Sequence, residues 1–353
     1  MSARLGDAAG PTGRFRIVQI HPTRRCNLRC LHCYSSSGPE VAEELDGSIV
    51  RDLLTDARAE GYTVAGFSGG EPLLYRPLRE VLEHAKSLGL TTTVTTNGML
   101  LDERRLERIA GAADLLAISL DGVPESHDRM RASPRAFETM ASRLEGVRRA
   151  DIPFGFIFTL TQYNLHELPW VATFAIEQGA RLLQIHPLEL AGRAAETLQD
   201  ERPDGTEAAW AYVAAVRLRE GLGERLRVHL DLADREVLRE DPARAFAEPE
   251  AAADPAAPLA AQLSPLVVES DGTVVPVQYG FSRRYALGDL RRERLPACAE
   301  RWRTGLAADF RALCRRTFEE LVSAEALPVT NWYERIAAQA AAEEPAERLV
   351  ALG

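Results

Sequence analysis

Between residues 16 and 186, short apolar runs alternate with amphipathic stretches of helical period. That alternation restricts the chain to a parallel sheet with helical crossovers. Arg16 to His21, Thr63 to Phe67, Thr91 to Thr95, Leu115 to Leu120, Phe154 to Leu160 and Leu182 to His186 read as strands. Ser48 to Glu60, with Leu53, Leu54 and Ala57 on one face, reads as the first intervening helix. Leu78 to Leu88, Glu103 to Ala110, Ala136 to Ala150 and Leu168 to Gln178 read as the next ones. Six such units predict an α/β fold, a partial (β/α)6 TIM-like barrel short of the eight units of a complete one. In such a fold the chemistry gathers in the loops that follow the C-terminal ends of the strands.

Beyond residue 195 the pattern loosens. Thr206 to Glu220 reads as a helix, and Arg225 to Asp231 is compatible with a strand. Four stretches follow from this: a polar, Gly-rich tail over 1–14, a barrel domain over 15–232, a linker over 233–262 and an extension over 263–353. The linker is rich in Ala, Pro, Asp and Glu, a composition compatible with helical turns. The extension opens on a β-hairpin around Asp271-Gly272, a strong short-range turn signal, and continues in helices over Pro296 to Phe318 and Asn331 to Ala341. The tail lacks the apolar core of a signal peptide and is expected to be disordered, in a cytoplasmic protein. No apolar run approaches the roughly 20 residues that span a bilayer. The net charge of −10 argues against nucleic acid as a partner.

Three of the five cysteines, Cys26, Cys30 and Cys33, fall within eight residues in the spacing C-x3-C-x2-C, directly after the first predicted strand. In a cytoplasmic chain clustered cysteines point to metal ligation before disulfides. Zinc usually takes four protein ligands, and no partner C-x2-C or H-x3-H pair stands nearby. Three thiolates on a 4Fe–4S cluster would leave one iron open, able to chelate a small molecule through an amine and a carboxylate, as methionine offers. The bland alternative is three buried, unligated cysteines, but free cysteines seldom crowd a polar loop containing Arg and Asn.

The stretch PTRRCNLRCLHCYS, residues 22–35, resembles the signature of the radical S-adenosylmethionine superfamily. His32 stands where that family carries an aromatic residue, and Tyr34 follows the last cysteine. Ser68-Gly69-Gly70-Glu71-Pro72 resembles the family's motif for the methionine amino group. Thr95-Thr96-Asn97-Gly98 and Ile118-Ser119-Leu120-Asp121-Gly122 resemble the strand ends that approach ribose and methionine. Thr159 to Asn164, and Gln184 to Arg193 ending in Gly192-Arg193-Ala194, resemble those near adenine and substrate. The resemblance implies one 4Fe–4S cluster on Cys26, Cys30 and Cys33. It implies S-adenosylmethionine held by Gly69, Gly70, Glu71, Pro72, His32, Tyr34, Thr96, Asn97, Ser119, Asp121, Thr159 and Gln184. It also implies an external electron donor of flavodoxin or ferredoxin type. The Glu71 carboxylate is expected to accept from the methionine ammonium.

Leu263 to Leu290 resembles the start of the SPASM or Twitch extension, whose members usually bind extra clusters. Here Pro276 is followed by Val277 where those proteins usually place a cysteine, and only Cys298 and Cys314 remain. Two thiols do not complete a four-cysteine site, so one cluster alone is expected and the two read as buried small hydrophobes. The hairpin is expected to close the barrel mouth.

The leading expectation is hydrogen abstraction from a small molecule of specialised metabolism, such as a nucleoside or sugar acid, with decarboxylation, elimination or epimerisation as the outcome. In general character, though not by a motif, the chain is similar to cytosylglucuronate decarboxylase-type enzymes of nucleoside-antibiotic biosynthesis. His186 and Glu189, after the sixth strand, are the expected substrate-contacting catalytic residues. The alternatives are a peptide-modifying maturase and a non-catalytic Fe–S electron carrier; the second has no use for a Gly-Gly-Glu-Pro loop.

Overall fold

The computed structural model describes residues 15–247, 254, 256–323 and 327–343. The tail expected over 1–14 lies outside the described residues. The first strand, β1 (Ile17–Ile20), leads through a long loop to α1 (Gly47–Ala59). Asp46 caps that helix by accepting from Ser48 N, and Val50, Leu53, Leu54 and Ala57 form its buried face. The chain continues through β2 (Val64–Phe67), α2 (Leu78–Ser87), β3 (Thr91–Thr96), α3 (Glu103–Ile109) and β4 (Leu115–Ser119). Next come α4 (Pro124–Met130), α5 (Ala136–Arg149), β5 (Phe154–Leu160), α6 (Leu168–Glu177) and β6 (Leu182–Pro187). After a single turn, α7 (Ala194–Thr197), the longest helix α8 (Gly205–Leu222) starts on a capping box of Asp204 and Glu207. It returns to β7 (Arg227–Leu230).

The strands β1 to β7 lie parallel and in chain order, one more than the six units expected. The seventh is Arg227–Leu230, paired with β6 through Leu183 opposite Val228. All four residues of β2 are buried, as a strand covered on both faces requires. The helix α4 was not foreseen; its charged sequence, Pro-Glu-Ser-His-Asp-Arg-Met, reads as a loop.

The stretch expected as a linker is folded where it is described. It holds β8 (Ala233–Asp234), α9 (Arg235–Glu240) and α10 (Leu259–Gln262), and it buries Ala245, Phe246, Leu259 and Ala260. Small apolar residues packed between helices give the same composition as a linker. The hairpin β9 (Leu266–Val268) and β10 (Thr273–Pro276) then joins the main sheet, with β9 parallel to β1 and β11 (Gly288–Asp289) on its far side. The extension therefore prolongs one ten-stranded sheet beside β1, and the sheet remains open, with β11 and β7 at its edges. The helices α11 (Leu295–Arg301) and α12 (Ala307–Leu321), the short β12 (Val329–Thr330) and α13 (Trp332–Ala342) complete the described residues. Trp302, Phe310, Ile336, Cys298 and Cys314 share one continuous core with β1 to β7. Both of those cysteines are fully buried, the small-hydrophobe role expected of them.

Candidate active site

Parallel strands in chain order put all their C-terminal ends on one side, so the loops carrying the motifs meet there. The loop after β1 holds the three thiols, with Cys26 and Cys30 buried and Cys33 partly exposed. It is tied down from several directions. Cys26 N donates to Gly38 O at 3.1 Å, and Leu31 N to Met130 O at 2.9 Å. Arg193 clamps it, with its amide on Cys33 O (2.9 Å) and its guanidinium on Cys30 O (2.8 Å) and Ser37 O (2.9 Å). Two amides point at sulfur: Leu28 N at Cys26 Sγ (3.4 Å) and Ser37 N at Cys33 Sγ (3.3 Å).

Burial, then the nearby Glu71 charge, pushes the Cys26 thiol up to about 12, and burial pushes Cys30 up as well. Cys26 also feels the charges of Cys30 and Cys33. Three thiolates are therefore unfavourable here without positive charge between them. Among the described residues no three His, Cys, Asp or Glu side chains are grouped to hold a metal ion. Two buried thiols and a third partly exposed, near enough to repel, with amides aimed at two of the sulfurs, fit a cluster of several irons better than a lone ion.

The loop after β2 lies flat on the cysteine loop. Gly70 N donates to Thr23 O (2.8 Å) and Glu71 N to Arg25 O (2.9 Å). A Cβ on Gly70 would stand 2.3 Å from Arg25 O, and Gly69 has φ +106°, so side chains are excluded at both positions. Glu71 is fully buried. Its carboxylate accepts from Leu73 N (3.1 Å), Thr96 Oγ1 (2.9 Å) and Asn97 N (2.9 Å). The expectation placed that carboxylate on the methionine ammonium. Three internal donors hold it in this structure, so Glu71 also shapes the loop and ties β2 to β3. Pro72 opens the turn it caps. Asn97 in turn donates to Asn27 Oδ1 at 2.9 Å, joining the end of β3 to the cysteine loop.

Tyr34 and His32 flank the last cysteine. The Tyr34 hydroxyl lies 3.3 Å from both His21 Nδ1 and Ser68 Oγ, and its ring meets Tyr279 of the hairpin edge-on at 5.4 Å. His32 Nε2 lies 3.9 Å from Asp121 Oδ2, and burial lowers its pKa to about 4. Ser119 is nearly buried at the end of β4, and Thr159 N donates to Asp121 Oδ1 at 3.3 Å. Asp121 was expected to face ribose or methionine. Its side chain has no exposed surface and stands 2.7 Å from Arg131 Nε, on a residue that the sequence reading passed over.

Farther along the sheet edge a second polar group forms. His186 Nδ1 and Asp231 Oδ2 are 3.0 Å apart, Gln184 Nε2 donates to Asp231 Oδ2 at 2.8 Å, and His229 Nδ1 is 3.1 Å from Asp231 Oδ1. Glu189 Oε1 lies 3.7 Å from His186 Nε2 and accepts from Asn331 Nδ2 at 3.0 Å; Gln278 Nε2 donates to its other oxygen at 3.2 Å. The structure brings His186 and Glu189 together and adds Asp231, which the residue pattern does not single out. The His186 side chain is 39% accessible. Burial alone would lower its pKa, but the Asp231 hydrogen bond and the Glu189 and Asp231 charges raise it to about 9. A pKa raised on folding stabilises the fold fully below the unfolded value, and that gain is lost as pH climbs through the folded value. Stability should therefore fall between about pH 6.5 and 9. Urea unfolding across that range is the check: the slope should shrink in Asp231→Asn, and an unchanged slope would remove the His186–Asp231 pair from the account.

A groove of about 690 Å³ on the outer face of α8, lined by Trp210, Val213 and Leu327 among others, carries no titratable side chain. Among the described residues no helix is long and apolar enough to cross a membrane.

Residues 20–175 match the family model of the Radical SAM superfamily. With the fold and the cysteine loop, that match gives the chain a Radical SAM domain over residues 20–175; the cofactors of that superfamily are a 4Fe–4S cluster and S-adenosylmethionine. Over 187 residues it is 29% identical to the Fe-coproporphyrin III synthase of Methanosarcina barkeri, covering 52% of this chain and 47% of that one. Over 214 residues it is 27% identical to the PqqA peptide cyclase of Xanthomonas campestris pv. campestris, covering 60% and 57%. The chain thus spans about half the length of these relatives. Among solved structures, Streptococcus suis SuiB bound to S-adenosylmethionine matches with TM-score 0.67 at 14% identity, over 85% of this chain and 68% of that one. The enzyme anSMEcpe, with bound AdoMet and a Kp18Cys peptide, matches with TM-score 0.62 at 15% identity, over 92% and 95%. At these identities the likeness is one of fold.

Proposed function

We propose that this chain is a radical S-adenosylmethionine enzyme acting on a small, polar, hydroxyl-bearing molecule. Bound to Cys26, Cys30 and Cys33, the cluster would supply the electron that cleaves S-adenosylmethionine to a 5′-deoxyadenosyl radical able to take hydrogen from the substrate. The protein's part is placement and exclusion of water. Arg193 and the Gly69-Gly70 backbone fix the cysteine loop, and Glu71, Thr96 and Asn97 fix the loop beside it. The cofactor would lie against this surface, with Pro72, Tyr34, His32, Ser119, Thr159 and Gln184 at its margins.

The observation that carries the substrate class is the partly accessible pair of His186 and Glu189. An imidazolium N–H and a carboxylate oxygen face each other there at 3.7 Å, and a hydroxyl can accept from the first and donate to the second. Gln184 and Gln278 add amide groups beside them. Such a lining suits a nucleoside or sugar acid. Val277 stands where the extension it resembles usually places a cysteine, and Cys298 and Cys314 lie in the apolar core, which supports one cluster and redox-neutral outcomes such as decarboxylation, elimination or epimerisation. The name of the PqqA peptide cyclase supports a second reading, a peptide substrate.

The test compares deuterated nucleosides and sugar acids with deuterated short peptides, incubated with reconstituted, reduced protein and S-adenosylmethionine. Deuterium from the first panel should appear in 5′-deoxyadenosine, and His186→Gln should slow that transfer on the order of 10²-fold. Transfer from peptides alone would replace this reading with the second.

A further inference from the structure

Beneath the cysteine loop lies a buried ion pair to which no role falls in the account above. Asp121 and Arg131 are both buried, the carboxylate fully so. Arg131 is the residue that ends α4, and the preceding Met130 carbonyl accepts from Leu31 N within the cysteine loop. Its Nε stands 2.7 Å from Asp121 Oδ2, and its Nη1 donates to Cys30 Sγ at 3.7 Å. The Nε contact is ionic without being a linear hydrogen bond, so Nε and Oδ2 both lack a hydrogen-bond partner. Other groups hold Asp121 in place. Its Oδ1 accepts from Thr159 N (3.3 Å), its amide donates to His127 Nδ1 (3.2 Å), and its carbonyl accepts from Asn164 Nδ2 (3.0 Å). His32 Nε2 and His127 Nδ1 stand 3.9 and 4.0 Å from Oδ2.

Removing a guanidinium from water is costly, and an ion pair repays that only in part. A hydrophobic pair would fill the space with less penalty. What such a pair cannot do is present a fixed positive charge to a sulfur. Arg131 points its Nη1 end at Cys30 while Asp121 sits at the Nε end, so the positive pole of the pair faces the thiolate.

We propose that Arg131 is a positioning residue that sets the reduction potential of the cluster through Cys30, and that Asp121 holds and moderates its charge. The inference rests on the cluster assignment above. Reduction adds one electron from the external donor and one negative charge to the cluster, with no other bond changed. A nearby cation stabilises the reduced form more than the oxidised one, and burial protects the effect from salt. Hydrogen bonds to ligand sulfur act in the same direction.

The experiment is a potentiometric titration of the anaerobically reconstituted full chain, followed by the electron paramagnetic resonance signal of the reduced cluster, with iron counted in every sample. Arg131→Met should lower the potential, reducing the ratio of reduced to oxidised cluster at a fixed donor potential about tenfold, or ~59 mV for one electron. Arg131→Lys, which keeps the charge, should recover most of the shift. Asp121→Asn keeps the cation and removes its counter-charge, so it should shift the potential the other way. A merely structural role would lower iron content in both neutral variants and leave the potential of the retained cluster alone. If Arg131→Met holds no iron, Asp121→Asn carries the test. Iron bound at wild-type level with an unmoved potential overturns this proposal and leaves the cluster assignment standing. Wild-type chain that binds no iron overturns the assignment itself.

Discussion

Alanine in place of Cys26, Cys30 or Cys33, one at a time, is expected to abolish both the cluster and the cleavage of S-adenosylmethionine. The reconstituted wild type should carry about four irons per chain, the content of one 4Fe–4S cluster. Each single variant should carry far less, because two thiols and the crowded polar loop around them do not replace the third. The contrasting pair is Cys298→Ser and Cys314→Ser. Both residues are fully buried in the apolar core, so serine there costs packing and desolvation, at most a few kcal/mol, without touching iron. Iron analysis and the visible spectrum of the five variants decide the matter. About eight irons in the wild type, or a lost cluster signal in either serine variant, would place a second cluster in the C-terminal extension.

The second large effect is expected at Glu71. The sequence reading gave this carboxylate a direct hold on the cofactor, and the structure gives it three internal donors. Alanine would leave Leu73 N, Thr96 Oγ1 and Asn97 N unpaired in a buried place, at roughly 1–3 kcal/mol each. The loop after β2 should loosen, with a total loss of at least roughly 3 kcal/mol. Binding of S-adenosylmethionine should weaken by more than tenfold while iron content stays near wild type, because Glu71 organises the ligand surface and not the thiols. Glu71→Gln, which keeps the shape and one good acceptor, should fall between. Denaturant unfolding and calorimetric titration with S-adenosylmethionine measure the two halves. Normal stability with normal binding in Glu71→Ala would mean that the loop is misplaced against β3.

Much of this arrangement was legible from residue pattern. The helical and period-two stretches of the first half give strands and helices at the places where they stand, because each was long and bounded by caps or turns such as Asp46, Asp102 and Gly89. The cysteine spacing and the Gly-Gly-Glu-Pro loop were equally plain, since backbone approach demands glycine there. What stayed hidden was what the topology brings together. Arg131 sits in a run of charges, Glu125 to Arg135, that reads as solvated surface; its burial comes from the cysteine loop more than 100 positions away in sequence. Asp231 follows a strand too short to read with assurance, and only the parallel pairing of β6 with β7 sets it against His186. The internal donors of Glu71 were not legible, because a motif does not tell which backbone groups a carboxylate accepts from. The residues 233–262 misled through composition, since alanine and proline serve a packed helix end as well as a linker.

The central claim is that the three thiols and the loops around them make a machine for cleaving S-adenosylmethionine. It is tested most directly by incubating anaerobically reconstituted, dithionite-reduced protein with S-adenosylmethionine and separating the products by chromatography. The account predicts 5′-deoxyadenosine and methionine in equal amounts, formed by the wild type and not by Cys30→Ala. A wild type that holds its iron, accepts an electron and yet yields no 5′-deoxyadenosine would contradict it.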